Sequence, residues 1–132
     1  MNPRGAGSTH AVVVVEDNDD LRMTLVEILR QRGYEVREAA DAEEGLRVAR
    51  DDGADLVLLD LHLAEADSFG LLRHLLALSP APTVVVMTGY PIGAPTARFL
   101  HTVTSAVLRK PFRPELLLQI VADTLDADPS PY

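Results

Sequence analysis

Five residues of this sequence carry side chains suited to phosphate chemistry, and each lies at the end of a short apolar run. They are Glu16, Asp17, Asp60, Thr88 and Lys110. Carboxylates that share a site repel one another and raise each other's pKa, so such a set needs a cation. Lys110 is one candidate, and Mg²⁺ is another, because it binds one or two carboxylates together with a phosphate oxygen. The set favours transfer of a phosphoryl group onto an aspartate, with the metal, the hydroxyl and the ammonium group binding its oxygens.

Each of these residues also has an ordinary structural explanation. Asp60 could cap the turn after its strand, and acidic residues such as Glu16 and Asp17 are favoured near a helix N-terminus. Lys110 could be a solvated lysine, and Thr88 with the following glycine could form a common turn. The functional interpretation therefore requires that all five residues reach one place, which the order of the secondary structure elements decides.

Apolar segments that start near residues 11, 34, 55, 83 and 105 predict five strands, with a helix after each one. Right-handed crossovers then give a parallel sheet with helices on both faces. Only the second strand, 34–38, alternates polar and apolar residues, which places it at an edge. We therefore predict an α/β fold, a single doubly wound five-stranded parallel sheet of order 2-1-3-4-5, that is, a flavodoxin-like (βα)5 domain. In this order the acidic pair and Asp60 end neighbouring strands and face each other across the crevice.

The predicted domain covers residues 11–125. A flexible arm, 1–10, precedes it, and a tail or truncated linker, 126–132, follows it. Two prolines and a glycine between residues 91 and 95 leave about two turns for the fourth helix, from Pro95 onward.

Composition narrows the class of protein. The 132 residues carry a net charge of −8 without a basic cluster, which argues against nucleic acid as a direct partner. Hydrophobic residues make up 47% and aromatic residues 5%, so the core should be aliphatic. Cysteine is absent, which is compatible with a reducing compartment. No apolar run approaches the ~18 residues of a membrane span, and we expect a cytoplasmic protein with no membrane contact.

Four short motifs together resemble those of the response-regulator receiver domains of two-component signalling, over about residues 11–125. They are Val-Val-Glu-Asp (14–17), Leu-Leu-Asp-Leu (58–61), Met-Thr-Gly (87–89) and Lys-Pro-Phe (110–112). The resemblance implies that Asp60 is the phosphoacceptor, and that Thr88 and Lys110 hold the phosphoryl oxygens. It also implies an Mg²⁺ ion with four protein ligands: Asp17 directly, Glu16 through water, Asp60, and the backbone carbonyl of His62. The bond between Lys110 and Pro111 should be cis.

The same resemblance implies a signalling switch and not an enzyme, since a receiver assists only its own phosphorylation and dephosphorylation. The phosphoryl group would come from a histidine kinase or a histidine phosphotransfer protein. A downstream protein target or an output domain would contact the face formed by residues 91–125, and a homodimer is possible.

The sequence departs from the family pattern at three positions. Ala64, Ser68 and Val107 stand where the family usually has Pro, Gly and an aromatic residue. The aromatic residue normally relays the state of the site, so Tyr90 or Phe99 would have to replace it, although Phe99 fits a core position better. His62 and Tyr90 occupy the two positions that border the phosphoryl group in this family and tune its hydrolysis.

Three alternative functions fit the sequence less well. The acidic pair, Asp60, Thr88 and Lys110 argue against a receiver-like interaction module that is not regulated by phosphorylation, whereas the altered loop and Val107 leave that alternative open. Phosphohydrolases similar to haloacid dehalogenases have a second acid two residues after the nucleophile, where this chain has His62. A nucleotide-binding Rossmann domain needs a glycine-rich turn, whereas residues 16–20 are acidic and would repel a pyrophosphate.

Overall fold

The computed structural model describes residues 10–63 and 68–126, in which five strands alternate with five helices. The strands are β1 (Ala11–Val15), β2 (Glu35–Ala39), β3 (Leu56–Asp60), β4 (Thr83–Thr88) and β5 (Ala106–Arg109). The helices are α1 (Asp19–Gln31), α2 (Ala42–Asp52), α3 (Ser68–Leu76), α4 (Ala94–Val103) and α5 (Pro114–Asp126). All strand pairs are parallel and follow the order β2-β1-β3-β4-β5. This is the predicted doubly wound fold.

The central strands are buried on both faces because alternate side chains enter two separate apolar layers. Val13 and Leu59 pack with helices α2 and α3 on one face, while Val14 and Leu58 pack with α1 and α5 on the other. All five residues of β3 are buried. In β2 only Val36 and Ala39 are buried, one in each apolar layer, and the strand lies at the edge of the sheet, as predicted.

Local sequence signals set the helix ends that lead into the site. The side chain of Asn18 accepts a hydrogen bond from the Leu21 N–H at 2.9 Å and caps α1. Asp41 caps α2 in the same way through the Glu44 N–H at 2.8 Å. The chain leaves α1 through Gly33, whose φ of +100° is a conformation that favours glycine.

Helix α4 is longer than predicted. It has ten residues, nearly three turns, and begins at Ala94. Pro95 lies in its first turn, where a missing N–H breaks no helical hydrogen bond, so this proline starts the helix instead of shortening it. Within the described ranges, no helix has both the length and the apolar character needed to cross a membrane.

Candidate functional site

Three carboxylates meet at the carboxyl end of the sheet. Glu16 and Asp17 follow β1, Asp60 ends β3, and each offers one oxygen so that all three atoms lie within 4.8 Å of one another. Glu16 and Asp60 are only 1% and 3% exposed. The carboxylates line an open cavity of about 350 Å³ together with Lys110 and Tyr90. The structure therefore brings together the acidic residues that the motifs single out.

Lys110 supplies the positive charge of this cluster. Its Nζ atom lies 2.8 Å from Glu16 Oε1 and 3.5 Å from Asp60 Oδ1. Its backbone N–H donates to the Thr88 carbonyl at 2.8 Å. This hydrogen bond extends the pairing of β4 and β5 by one residue and fixes the backbone of Lys110. The bond between Lys110 and Pro111 is cis, as the resemblance implies.

The pKa of Glu16 lies above the ordinary value of a glutamate. Burial raises its pKa, and repulsion from Asp60 adds to that effect. Hydrogen bonds from Lys110 and from the Asn18 N–H lower the pKa, but the balance remains above the ordinary value. Burial therefore disfavours the charged form of Glu16, and a further cation nearby would stabilise that form.

Arg22, in the first turns of α1, fixes the loop that carries the acidic pair. Its guanidinium donates to the Glu16 carbonyl at 2.8 Å, to Asp19 at 2.7 Å and to Glu38 at 3.0 Å. The sequence interpretation missed this residue. An arginine two positions after a run of five acidic or amide residues was the available signal.

Asp60 is held by one hydrogen bond to its side chain and one to its backbone. The His62 N–H donates to Asp60 Oδ1 at 3.0 Å. The hydroxyl of Ser68, buried at the start of α3, donates to the Asp60 carbonyl at 3.0 Å and accepts from the Leu63 N–H at 3.4 Å. Ser68 was identified only as a departure from the family pattern, and its bond to Asp60 was not foreseen. Ala64, the other departure in this segment, lies outside the described residues.

Thr88 is buried beside the cavity, and its hydroxyl bonds to its neighbours. Oγ1 donates to the Tyr90 carbonyl at 2.9 Å, accepts from the Tyr90 N–H at 3.2 Å, and lies 2.9 Å from His62 Nε2. The His62 and Tyr90 rings meet edge to face at 4.7 Å. Val107 is partly buried and packs against the apolar layer that includes α2 and α3. Phe99 is 46% exposed on α4, so the expected core position of Phe99 is wrong.

The donor set fits a hard divalent cation. Each of the three clustered groups offers a carboxylate oxygen, which is the ligand type that Mg²⁺ prefers. A bound cation would stabilise the charged form of Glu16, whose pKa is raised by burial. The His62 ring contacts Thr88 and Tyr90, so it is not directed to the metal ligands, which fits the expectation that His62 would bind a metal only through its backbone carbonyl.

Comparison with known proteins gives the same family as the motifs. The response regulator receiver domain family matches residues 12–122. The sensor kinase CckA of Brucella abortus is 33% identical over 117 residues, which are 87% of this chain and 12% of that kinase. The transcriptional regulatory protein PdtaR of Mycobacterium tuberculosis is 33% identical over 102 residues, which are 76% of this chain and 49% of PdtaR.

A solved structure shows the same architecture. The CheY-like receiver domain from Methanospirillum hungatei superposes with a TM-score of 0.83 at 29% identity, over 90% of this chain and 95% of that one. The chain thus corresponds to nearly all of an isolated receiver domain, and to about half or less of the two longer relatives. It belongs to the response regulator receiver domain family of two-component signalling proteins.

Proposed function

We propose that this domain is a switch that is set by phosphorylation of Asp60. One observation carries the proposal: the Asp60 carboxylate is 3% exposed, ends the central strand, and lies among two further carboxylates and an ammonium group. A purely structural aspartate gains nothing from two acidic neighbours, because they raise the free energy of its charged form. In a site for phosphoryl transfer, by contrast, the two acidic neighbours would bind the metal ion that neutralises charge on the phosphoryl oxygens.

The proposed reaction is transfer of a phosphoryl group from a histidine nitrogen to the Asp60 carboxylate. A carboxylate oxygen forms the new bond to phosphorus while the bond from phosphorus to nitrogen breaks, and the nitrogen keeps that electron pair. Lys110, 3.5 Å from Asp60 Oδ1, is placed to bind the incoming negative charge. The Thr88 hydroxyl is the second proposed donor to the phosphoryl oxygens.

Residues for Mg²⁺ are assigned as part of the same proposal. Asp17 and Asp60 would hold the ion directly, Glu16 through water, and the His62 backbone carbonyl would complete the protein ligands. The ion would neutralise charge on the phosphoryl oxygens. Arg22 supports this set indirectly, because it holds the Glu16 carbonyl and therefore the path of the acidic loop.

The partners follow from the reaction. The donor would be a histidine kinase or a histidine phosphotransfer protein, and similarity to part of a sensor kinase supports that class. The output would go to a protein target or an attached domain through the face formed by residues 91–125, where Phe99 and Leu116 are 46% and 47% exposed. We place this signalling in the cytoplasm.

Phosphorylation by a small phosphodonor tests the assignment. Wild-type protein incubated with acetyl phosphate and Mg²⁺ should gain one acid-labile phosphoryl group, measured by intact mass. Asp60→Asn or a chelator should abolish the gain. Asp20→Asn is the matched control, since it makes the same change in the nearby acidic run but outside the carboxylate cluster. Full labelling of Asp60→Asn would refute the proposal.

A further inference from the structure

The Thr88 hydroxyl has its full set of hydrogen bonds in this structure. A hydroxyl has one hydrogen and two lone pairs. The hydrogen goes to the Tyr90 carbonyl, and one lone pair accepts the Tyr90 N–H. The third partner, His62 Nε2 at 2.9 Å, must then be a donor, which assigns its hydrogen to Nε2. His62 therefore donates to Thr88.

This arrangement points the Thr88 hydrogen away from the proposed phosphoryl site. Phosphoryl oxygens accept hydrogen bonds and do not donate them, so Thr88 can bind one only by withdrawing its hydrogen from the Tyr90 carbonyl. Thr88 is not among the described residues that line the cavity, so its hydroxyl reaches a phosphoryl oxygen there only if the side chain turns to another staggered position, which moves Oγ1 away from both His62 and Tyr90. Thr88 is 3% exposed, and water cannot easily replace the lost partner.

We propose that His62 and Tyr90 form a latch on Thr88 that must open before Thr88 can bind a phosphoryl group on Asp60. The latch consists of the His62 Nε2 bond to Thr88, the two Tyr90 backbone bonds to Thr88, and the contact between the His62 and Tyr90 rings. It rests on the proposed function, and it makes His62 a positioning residue that acts through Thr88.

The latch also connects the site with the segment before α4. The His62 backbone N–H donates to Asp60 Oδ1, while its ring holds Thr88 and touches Tyr90. One residue thus contacts the proposed phosphoacceptor, the second proposed donor and the loop that leads to α4. Because Val107 has no ring with which to relay a movement of Thr88, release of Tyr90 is the route by which the change reaches α4.

The test measures binding of beryllofluoride with Mg²⁺, a mimic of the phosphoryl group, to the full chain. His62→Phe keeps a ring against Tyr90 and removes the bond to Thr88. This bond exists only in the mimic-free state, so its loss should lower the Kd of the mimic by about five-fold, as expected for one hydrogen bond. His62→Leu, which differs in shape, should give the same gain. In a Thr88→Val background, His62→Phe should change the Kd by less than two-fold.

The outcomes separate the latch from the proposed function. Tighter binding by His62→Phe that disappears with Thr88→Val supports the latch. Unchanged binding overturns it. Weaker binding also overturns it, because His62 Nε2 would then be a donor to the mimic itself. If wild-type protein binds the mimic no better than Asp60→Asn does, the proposed function is refuted, and the latch with it.

Discussion

Replacing Lys110 by methionine tests how the acidic cluster is stabilised when no metal is bound. Lys110 is the only lysine of the sequence, and its Nζ atom contacts both Glu16 and Asp60. Methionine keeps much of the aliphatic chain and removes the charge. The substitution leaves the buried Glu16 beside Asp60 with no ammonium group to offset the two negative charges.

The geometry sets the size of the effect. At 2.8 Å and an effective dielectric constant of about 20, the attraction between Lys110 and Glu16 is about 6 kcal/mol before the cost of desolvation. Loss of one partner from a buried pair typically costs about 3–5 kcal/mol. The Lys110 side chain is 22% exposed, so water can enter at this position and partly solvate the carboxylates that lose their partner. We therefore expect a cost at the lower end of this range, about 3 kcal/mol. In a domain of this size that corresponds to a fall in Tm of about 10 °C.

The loss should depend on pH in a defined direction. The pKa of Glu16 is already raised by burial, and Lys110 is one of the two groups that lower it. In Lys110→Met the folded-state pKa should rise further above the unfolded value. Such a group contributes stability below its unfolded pKa and loses it as the pH rises through the folded pKa. The destabilisation should therefore be largest near pH 8 and smaller near pH 5, which lies closer to the unfolded pKa of the glutamate.

Urea unfolding in the presence of a chelator, at both pH values, measures this effect. Arg109→Met is the matched control, since it removes an exposed cation from the neighbouring position and should change the free energy of unfolding by less than about 0.5 kcal/mol. In a Glu16→Gln background, Lys110→Met should lose most of its cost. Two results would refute the reasoning. One is a Lys110→Met protein that is as stable as wild type at pH 8, and the other is a Lys110→Met effect of the same size with and without the Glu16 charge.

Two further substitutions test the packing and the charge near the site. In α2, a Cβ atom added at Gly45 would lie 2.8 Å from Val15 Cγ2. Gly45→Ala should lower the free energy of unfolding by about 1 kcal/mol, because overpacking outweighs the gain in helix propensity, and urea unfolding should show no loss in a Val15→Ala background. Asp17→Asn relieves repulsion in the metal-free cluster and should raise the free energy of unfolding by about 1 kcal/mol, while it removes most of the rise in melting temperature on adding Mg²⁺. An Asp17→Asn protein that melts below wild type in chelator and still responds fully to Mg²⁺ would contradict an acidic metal site.

Much of the fold was accessible from the sequence because burial leaves a pattern in the residues. The continuous apolar run of β3 marks a strand that is covered on both faces, and the alternation in β2 marks an edge. These two observations, with right-handed crossovers, favour the order that the sheet has. The meeting of the acidic pair with Asp60 then follows from topology alone, since each residue ends a strand whose direction and position are known.

The contacts that hold the site in its present state were not accessible in the same way. The bonds from Arg22 to Glu16, from Ser68 to Asp60 and from His62 to Thr88 depend on side-chain placement between elements that periodicity does not determine. The exposure of Phe99 was mistaken for the same reason: its position in α4 is known only once the rotation of that helix against the sheet is known.

The charges of the site determine what phosphorylation must change. Three carboxylates and one ammonium group leave a formal charge of −2, which one divalent cation would balance. Phosphorylation of Asp60 would add about one further negative charge and three acceptor oxygens. The two proposed donors are at present committed elsewhere, Lys110 to Glu16 and Thr88 to Tyr90. Lys110 can turn toward the new charge inside the cavity, whereas Thr88 cannot turn without releasing the loop before α4. Under the proposed function, phosphorylation of Asp60 would therefore change that loop, even though residue 107 is a valine.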